Sequence, residues 1–401
     1  DFNLFNNKFG KTSLVSAILY NTGMVNRLAR VEQGNTITDY DEEEIEKKIS
    51  IQASLAFAEK DKYKINIIDT PGYANFVWEA KIGLRAVETA IMLVSPTDGV
   101  EVQTEKIFET ASELKKPVVF VVNKMKKELA DFDEACKSIT NSFGKNAVAF
   151  QYPIGRGENF EGIVDLLTMK AYQYSSDEKG DYEEVEIPSD IKEILDSKWE
   201  ALIEKIAEND EQLMEKYLEE GDLSIDEITG GLKNCILNRD IFPILVTDAF
   251  SNIGAKHLLD FIIDYTPSIL DIGEINTDDG VVKTSKDDSF SALIFKTISD
   301  PFTGQISIMK IFSGMLKPDS SYFNINKNSV ERIGSPFFMQ GKEQVSSGEV
   351  MPGDIVAVAK LKDTETGDTL TVKGEKTKFP PLQFPVPSIS FAIEPKTRSD
   401  E

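Results

Sequence analysis

Four short stretches carry residue types able to hold a nucleotide phosphate, a divalent cation and a purine. "LFNNKFGKTSL" (4–14) contains the second half of the pattern G-x-x-x-x-G-K-[ST]: Gly10, Lys11 and Thr12 are present, and Phe5 stands where the first glycine belongs. In such a loop, glycines let backbone N–H groups turn inward, lysine reaches the outer phosphates, and the threonine hydroxyl meets magnesium. Lys8, Phe9 and Ser13 complete the loop. "GKT" alone is a weak signal. It gains weight because it opens the helical stretch "KTSLVSAILYNTG", whose N-terminus favours anions. Asp69-Thr70-Pro71-Gly72 follows the apolar run "KINII". The aspartate suits a magnesium-bound water, and the Gly72 N–H suits a terminal phosphate. Asn123-Lys124 follows "VVFVV" and matches the start of the guanine-reading pattern N-K-x-D. There the aspartate accepts two hydrogen bonds from the guanine edge while the lysine packs over the base. Thr247-Asp248-Ala249 is the fourth stretch, where a backbone N–H meets the guanine oxygen.

The elements that must position these residues are legible. Short apolar runs alternate with amphipathic stretches, the signature of β-α units on a parallel sheet. "KINIID", "TAIMLVSP", "PVVFVVNK" and "PILVTDA" read as buried strands, each ending in polar residues where a doubly wound sheet places ligands. "TEKIFETASELKK" has helical spacing. "DIKEILDSKWEALIEKIAENDEQLMEKYLEEG" reads as one or two amphipathic helices within an inserted subdomain, roughly 158–240. "HLLDFIIDYTPS" closes the first domain, 1–272. Its histidine, His257, reads as a helix-surface imidazole. Residues 273–288 read as a polar linker. Alternating, glycine-punctuated runs from 289 to 380 suggest a small closed antiparallel barrel. "SISFAIEPKT", within 381–401, begins another strand.

Composition narrows the class. The chain has 401 residues, 41% hydrophobic and 28% charged, which suits a soluble multidomain globular protein. There is no long apolar run and no basic-then-apolar leader. Cys136 and Cys235 have no metal or disulfide spacing, so a reducing, cytoplasmic location is expected. A net charge of -24 argues against a general grip on phosphate backbones, so neither DNA nor a membrane is expected as a partner. The acid is concentrated: residues 176–228 hold 20 Asp and Glu against 5 Lys and no Arg.

In motif order and wording the chain resembles translation elongation factor G along essentially its whole length. "GNTITDYDEEEIEKKISI" (34–51) looks like the first switch, "DTPGYANFVWE" the second, "NKMKKELADFD" the base-recognition stretch, and "AENDEQLMEKYLE" the acidic insert. "SDPFTGQISIMKIFSGMLKPDS" with "LKDTETGDTL" resembles the barrel second domain, and "SISFAIEPKT" the entry to a third. The switch wording looks closest to second-type paralogs. The resemblance implies an α/β P-loop GTPase-like domain with an acidic insert, followed by an antiparallel β-barrel domain. It implies a monomeric factor that binds GTP, GDP and Mg2+ and acts on the ribosome. There the insert would meet a stalk protein and the barrel ribosomal RNA. By position, Lys11 would hold the β- and γ-phosphates. Thr12 and Ser50 would bind magnesium, with Asp69 holding it through water, and Asn123 and Lys124 would hold guanine.

Three departures, at Phe5, Lys126 and Tyr73, lower the expected turnover and affinity, and a fourth is milder. Phe5 is bulky where a glycine is usual. Lys126 replaces the guanine-reading aspartate, removing charge-assisted hydrogen bonds of about 1.5–3 kcal/mol each. Asp248, where serine is usual, is milder. Tyr73 stands where the family's water-orienting histidine belongs, and tyrosine is a poorer partner at neutral pH. A degraded phosphate site with weakened affinity and weakened guanine specificity is the expectation. The alternatives are a ribosome-binding factor with slow or absent hydrolysis, and an acidic interaction module for a stalk protein.

Overall fold

The computed structural model describes residues 1–5, 9–221, 223–301, 303–381, 389–392, 394–395 and 397. Lys8 therefore lies outside the described residues. The first domain runs β1 (Phe2–Phe5), α1 (Lys11–Asn21), α2 (Glu42–Lys47), β2 (Ser54–Lys60), β3 (Tyr63–Asp69), α3 (Val77–Arg85), β4 (Thr89–Val94), α4 (Val102–Glu113), β5 (Val118–Val122), α5 (Phe132–Phe143) and β6 (Ala147–Ala149). After an insert it resumes with β11 (Phe242–Val246) and α9 (Ala255–Tyr265). The insert holds β7 (Gln151–Ile154), β8 (Gly162–Asp165), β9 (Lys170–Tyr174), β10 (Tyr182–Val185), α6 (Lys192–Ala207), α7 (Glu211–Glu220) and α8 (Ile225–Asn238).

Seven strands form one sheet in the order β2-β3-β1-β4-β5-β11-β6. Every pairing is parallel except β2 with β3. β4, β5 and β11 are buried along their whole length. That is why "TAIMLV" and "VVFVV" run apolar without alternation: helices cover both faces, so neither parity of side chain meets water. The crossovers leave the loops after β1, β3, β5 and β11 together at the carboxyl edge of the sheet.

The insert is built on a four-stranded antiparallel sheet in the order β10-β9-β8-β7. It begins at Gln151, ahead of the expected residue 158, because "QYPI" pairs with Gly162–Asp165. The stretch expected as a plain linker contains a hairpin, Glu274–Thr277 against Gly280–Lys283, turned by Asp278-Asp279-Gly280. Its charged and polar residues mask the alternation around Ile275 and Val282. Among the described residues of 381–401 none is in a strand: 389–392, 394–395 and 397 of the run expected there are not extended into a sheet, and 388, 393 and 396 lie outside the described residues.

The second domain is an eight-stranded antiparallel sheet. Its strands Ser291–Asp300 and Gly304–Ser313 use both faces. Ala292, Ile294, Met309 and Ile311 fill the domain's own core. Leu293, Phe295, Ile306 and Ile308 pack against Ala53, Leu55, Ile68 and Ile82 of the first domain. Backbone bonds cross as well: the Gly341 N–H donates to the Leu55 carbonyl at 2.7 Å, and Gln340 Oε1 accepts the Phe57 N–H at 2.9 Å. Lys310, fully buried, reaches Glu88 across the same interface at 2.9 Å. Burial pushes the Glu88 carboxyl up, but the ammonium groups around it, Lys310 first, outweigh burial and hold it at about 2. Among the described residues no helix is long and apolar enough to cross a membrane.

His257 is not a surface imidazole. It packs among Tyr172, Tyr174 and Tyr182 with ring centroids 4.5, 5.9 and 4.5 Å away, and its Nδ1 lies 2.6 Å from the Tyr174 hydroxyl. Helical spacing placed it on the outer face of α9, and the insert's sheet then covers that face.

Two outcomes follow. Lys310→Met removes the ammonium shared by the buried Glu88 and Asp1 carboxylates and should cost about 3–5 kcal/mol in urea unfolding, only part of it recovered in the Lys310→Met/Glu88→Gln pair, which leaves Asp1 without its lysine. Burial lowers His257 to about 4 from 6.5, so the folded state binds fewer protons; this contribution is complete above 6.5 and is lost as pH falls toward 4. Between those pH values the wild type should lose more melting temperature than His257→Phe, which keeps a ring in the cage.

Candidate functional site

The phosphate end is built by the turn from β1 into α1. Gly10 caps α1 with φ +84°, a conformation that side-chain-bearing residues rarely adopt. A Cβ there would also lie 2.8 Å from Asn123 Nδ2. Phe5 ends β1 in register with Met92, just ahead of this turn. Lys11 and Thr12 are the first residues of the helix, each 6% exposed. Burial pushes the Lys11 ammonium down to about 8, against the opposing pull of Asp69 and Asp39.

Facing Lys11 is a small polar cluster. Asp69, at the end of β3 and 1% exposed, accepts the Thr38 hydroxyl on Oδ2 at 2.7 Å. Its Oδ1 is buried with no hydrogen-bond partner among the described residues. Thr12 Oγ1 and Ser50 Oγ are 3.3 Å apart, and Ser50 donates to Asp39 Oδ1 at 2.7 Å. Burial, and then the Asp69 charge, push the Asp39 carboxyl up to about 6. Burial likewise raises Asp69. Two carboxylates, one of them with the unpartnered Oδ1, and two hydroxyls make a hard oxygen set suited to Mg2+. The sequence-predicted metal residues Thr12, Ser50 and Asp69 are thus gathered in one place. Asp39 and Thr38 were missed: both stand in "TITDYDEEE", where a run of acids hides the one aspartate that folds inward.

At the base end Asn123 is fully buried. Its Nδ2 donates to the Phe9 carbonyl at 2.6 Å, and its Oδ1 accepts the Thr247 hydroxyl at 3.0 Å and the Ala249 N–H at 2.9 Å. The Ala249 N–H, one of the backbone donors of the 247–249 stretch expected to meet a guanine oxygen, is thus engaged with Asn123. Lys124, with φ +73°, lines the cleft. Asp248 is turned inward: it accepts the backbone N–H of Lys126 and of Ser251, each at 2.9 Å. Lys126 is half-buried and does not line the cleft.

The cleft measures about 340 Å³ and is walled by Gly10, Lys11, Thr12, Ser13, Asp39, Ser50, Gly72, Tyr73 and Lys124, together with Val31, Glu32, Lys48 and Ile49. Phe9, Asn123 and Asp69 lie in the layer directly beneath. Tyr73 is half-buried at the start of a single 3-10 turn, Ala74–Phe76.

A parallel sheet with a lysine- and threonine-bearing loop after its first strand, an inward aspartate after its third and an asparagine clamp after its fifth defines a P-loop nucleotide-binding domain. Comparison with known proteins agrees. A family model described as "Elongation factor Tu GTP binding domain" matches residues 8–268, and "Elongation factor G domain 2" matches 289–373. Elongation factor G of Petrotoga mobilis is 38% identical over 400 residues, covering 98% of this chain and 57% of that protein. A crystal structure from Thermus thermophilus superposes with a TM-score of 0.89 at 28% identity, over 100% of this chain and 58% of that one. The chain therefore spans less than three-fifths of the relatives it matches. It belongs to the elongation factor G family of translational GTPases.

Asn123→Ala should cost about 1–3 kcal/mol for each buried partner it deserts, read from urea midpoints. Asn123→Asp, which keeps the acceptor but sets an anion against the Phe9 carbonyl, should unfold earlier still.

Proposed function

We propose that this chain binds a guanine nucleotide with Mg2+ and works as the nucleotide-dependent part of a ribosomal translation factor, hydrolysing GTP slowly. The observation that carries the reading is the buried, unpartnered Asp69 Oδ1 beside the Thr12–Ser50 hydroxyl pair, facing Lys11. Lys11 holds the β- and γ-phosphates, and the Gly10–Ser13 helix start supplies N–H donors. Thr12 and Ser50 would hold the ion directly, with Asp69 through water. Bound there, Mg2+ neutralises phosphate charge and polarises the phosphoryl oxygens. Asn123 and Lys124 form the purine end. Gly72 and Tyr73 stand at the terminal-phosphate end, and Tyr73 supplies a weakly basic phenol where water must be oriented.

Guanine specificity is reduced because Lys126 offers no carboxylate, and Asp248 spends both oxygens on backbone N–H groups. Translocation on the ribosome in the cytoplasm is proposed as the whole factor's activity, supported by the family match. The bounds proposed with it are a first domain of 1–272, a linker of 273–288, a barrel of 289–380 and a third domain's beginning in 381–401. A monomer is proposed, with the barrel toward ribosomal RNA and the acidic insert toward a stalk protein. The second reading, a ribosome-binding factor that scarcely turns over, is favoured by Tyr73 and Lys126 together.

Labelled GTP and ATP binding, with and without Mg2+ and ribosomes, tests this. Binding should require Lys11 and should show little preference for guanine. Lys126→Asp should raise GTP affinity about tenfold over ATP, the worth of one charge-assisted bond. No magnesium-dependent nucleotide binding in the wild type would refute the assignment. Rapid ribosome-stimulated phosphate release would refute the slow-hydrolysis part.

A further inference from the structure

Three consecutive backbone amides directly after Ser50 are held by carboxylates from two different helices. Glu44 on α2, 1% exposed, accepts the Ile51 N–H at 2.8 Å and the Gln52 N–H at 3.2 Å on one oxygen. Its other oxygen takes the Asp41 N–H at 3.3 Å. The next amide, Ala53, donates at 2.8 Å to Oε2 of Glu79 on α3, the helix that follows the Asp69–Gly72 turn. That same Oε2 is ion-paired with Lys296, a buried lysine on strand Ser291–Asp300 of the second domain. One oxygen therefore joins the segment carrying Ser50, the helix after the Asp69 turn, and the barrel.

We propose that Glu79 is a positioning residue for Ser50, and that Lys296 of the second domain sets it, so that the barrel tunes how well the cleft holds Mg2+. The inference rests on the role given to Ser50 above. Ser50 has its hydroxyl 3.3 Å from Thr12 and 2.7 Å from Asp39, and the peptide groups behind it fix where that hydroxyl points. Glu44 pins two of them. The third depends on a carboxylate that is 27% exposed and needs a counter-charge to stay aimed at Ala53 rather than at water. Lys296 supplies that charge without lining the nucleotide cleft. Ala53 is itself buried in the apolar interface between the domains, so a loss of its bond shifts the start of β2 and the Ser50 turn together.

The test compares Glu79→Ala, Glu79→Gln and Lys296→Met in the full chain. Lys64→Met is the control: it breaks another ion pair between the domains, Lys64 to Asp354 at 2.8 Å, far along β3 from the Asp69 turn. Amide exchange at Ala53, without nucleotide, should rise about tenfold in Glu79→Ala and Lys296→Met, and less in Glu79→Gln, which keeps an acceptor. It should not change in Lys64→Met. The magnesium-dependent gain in GTP affinity should fall about tenfold in Lys296→Met, with affinity in EDTA unaltered. Ala53 exchange in Lys296→Met matching that in Lys64→Met overturns the proposal. So does an unaltered magnesium gain in Lys296→Met when wild-type protein shows one. Wild-type protein with no magnesium gain would sink the nucleotide assignment instead, and the exchange comparison would still decide the coupling.

Discussion

The Asn123 carboxamide is the constraint on which the site depends. It is fully buried, and it is satisfied only because two other loops converge on it: the Phe9 carbonyl before α1, and Thr247 and the Ala249 N–H after β11. A buried amide left unpaired costs more than the bond itself contributes, so the phosphate loop and the base loops hold one relative position. This also explains why Gly10 is needed. The Asn123 amide fills the space a Cβ would take, so the glycine serves the clamp as well as the phosphate.

The phosphate end is organised by opposed burial costs. Lys11, Asp39 and Asp69 are all nearly dry, and each would be costly alone. Their mutual attraction offsets part of that cost, while two carboxylates against one ammonium leave the cluster short of positive charge. The hollow between them is lined by oxygen atoms of Thr12, Asp39 and Ser50. The overall net charge of -24 misleads here, because the acid that dominates it lies mainly in the insert rather than in the cleft.

The second domain is not an appendage. Its central strands bury both faces, one in its own core and one against the first domain. Gly341, at φ +59°, lies so close to the Ile37 carbonyl that a Cβ would be 2.0 Å from it. The Glu79–Lys296 pair adds a polar tie to the same surface. The segments carrying Thr38, Asp39 and Ser50 are therefore packed from behind by the second domain, while Asp39 and Ser50 line the cleft and Thr38 donates to Asp69.

Local sequence determined the elements: unbroken apolar runs for β4, β5 and β11, helical spacing for α4 and α6, and the Gly10-Lys11-Thr12 and Asp69–Gly72 turns that follow strand ends. It also marked Phe5, Tyr73 and Lys126 as departures from patterns whose residue types are dictated by phosphate and guanine. What it left open were facts set by long-range contact. The hairpin in 273–288 was masked by charge, and the inserted sheet began earlier than its composition changed. His257 sat on a helix face that only the insert's tyrosines cover. Asp39, one acid among many in its stretch, became a site residue because the chain turns it toward Asp69. Periodicity reports which side of an element is apolar; it cannot report which distant segment arrives to bury a single charge. That choice belongs to the tertiary structure, where desolvation makes every buried polar group demand a named partner.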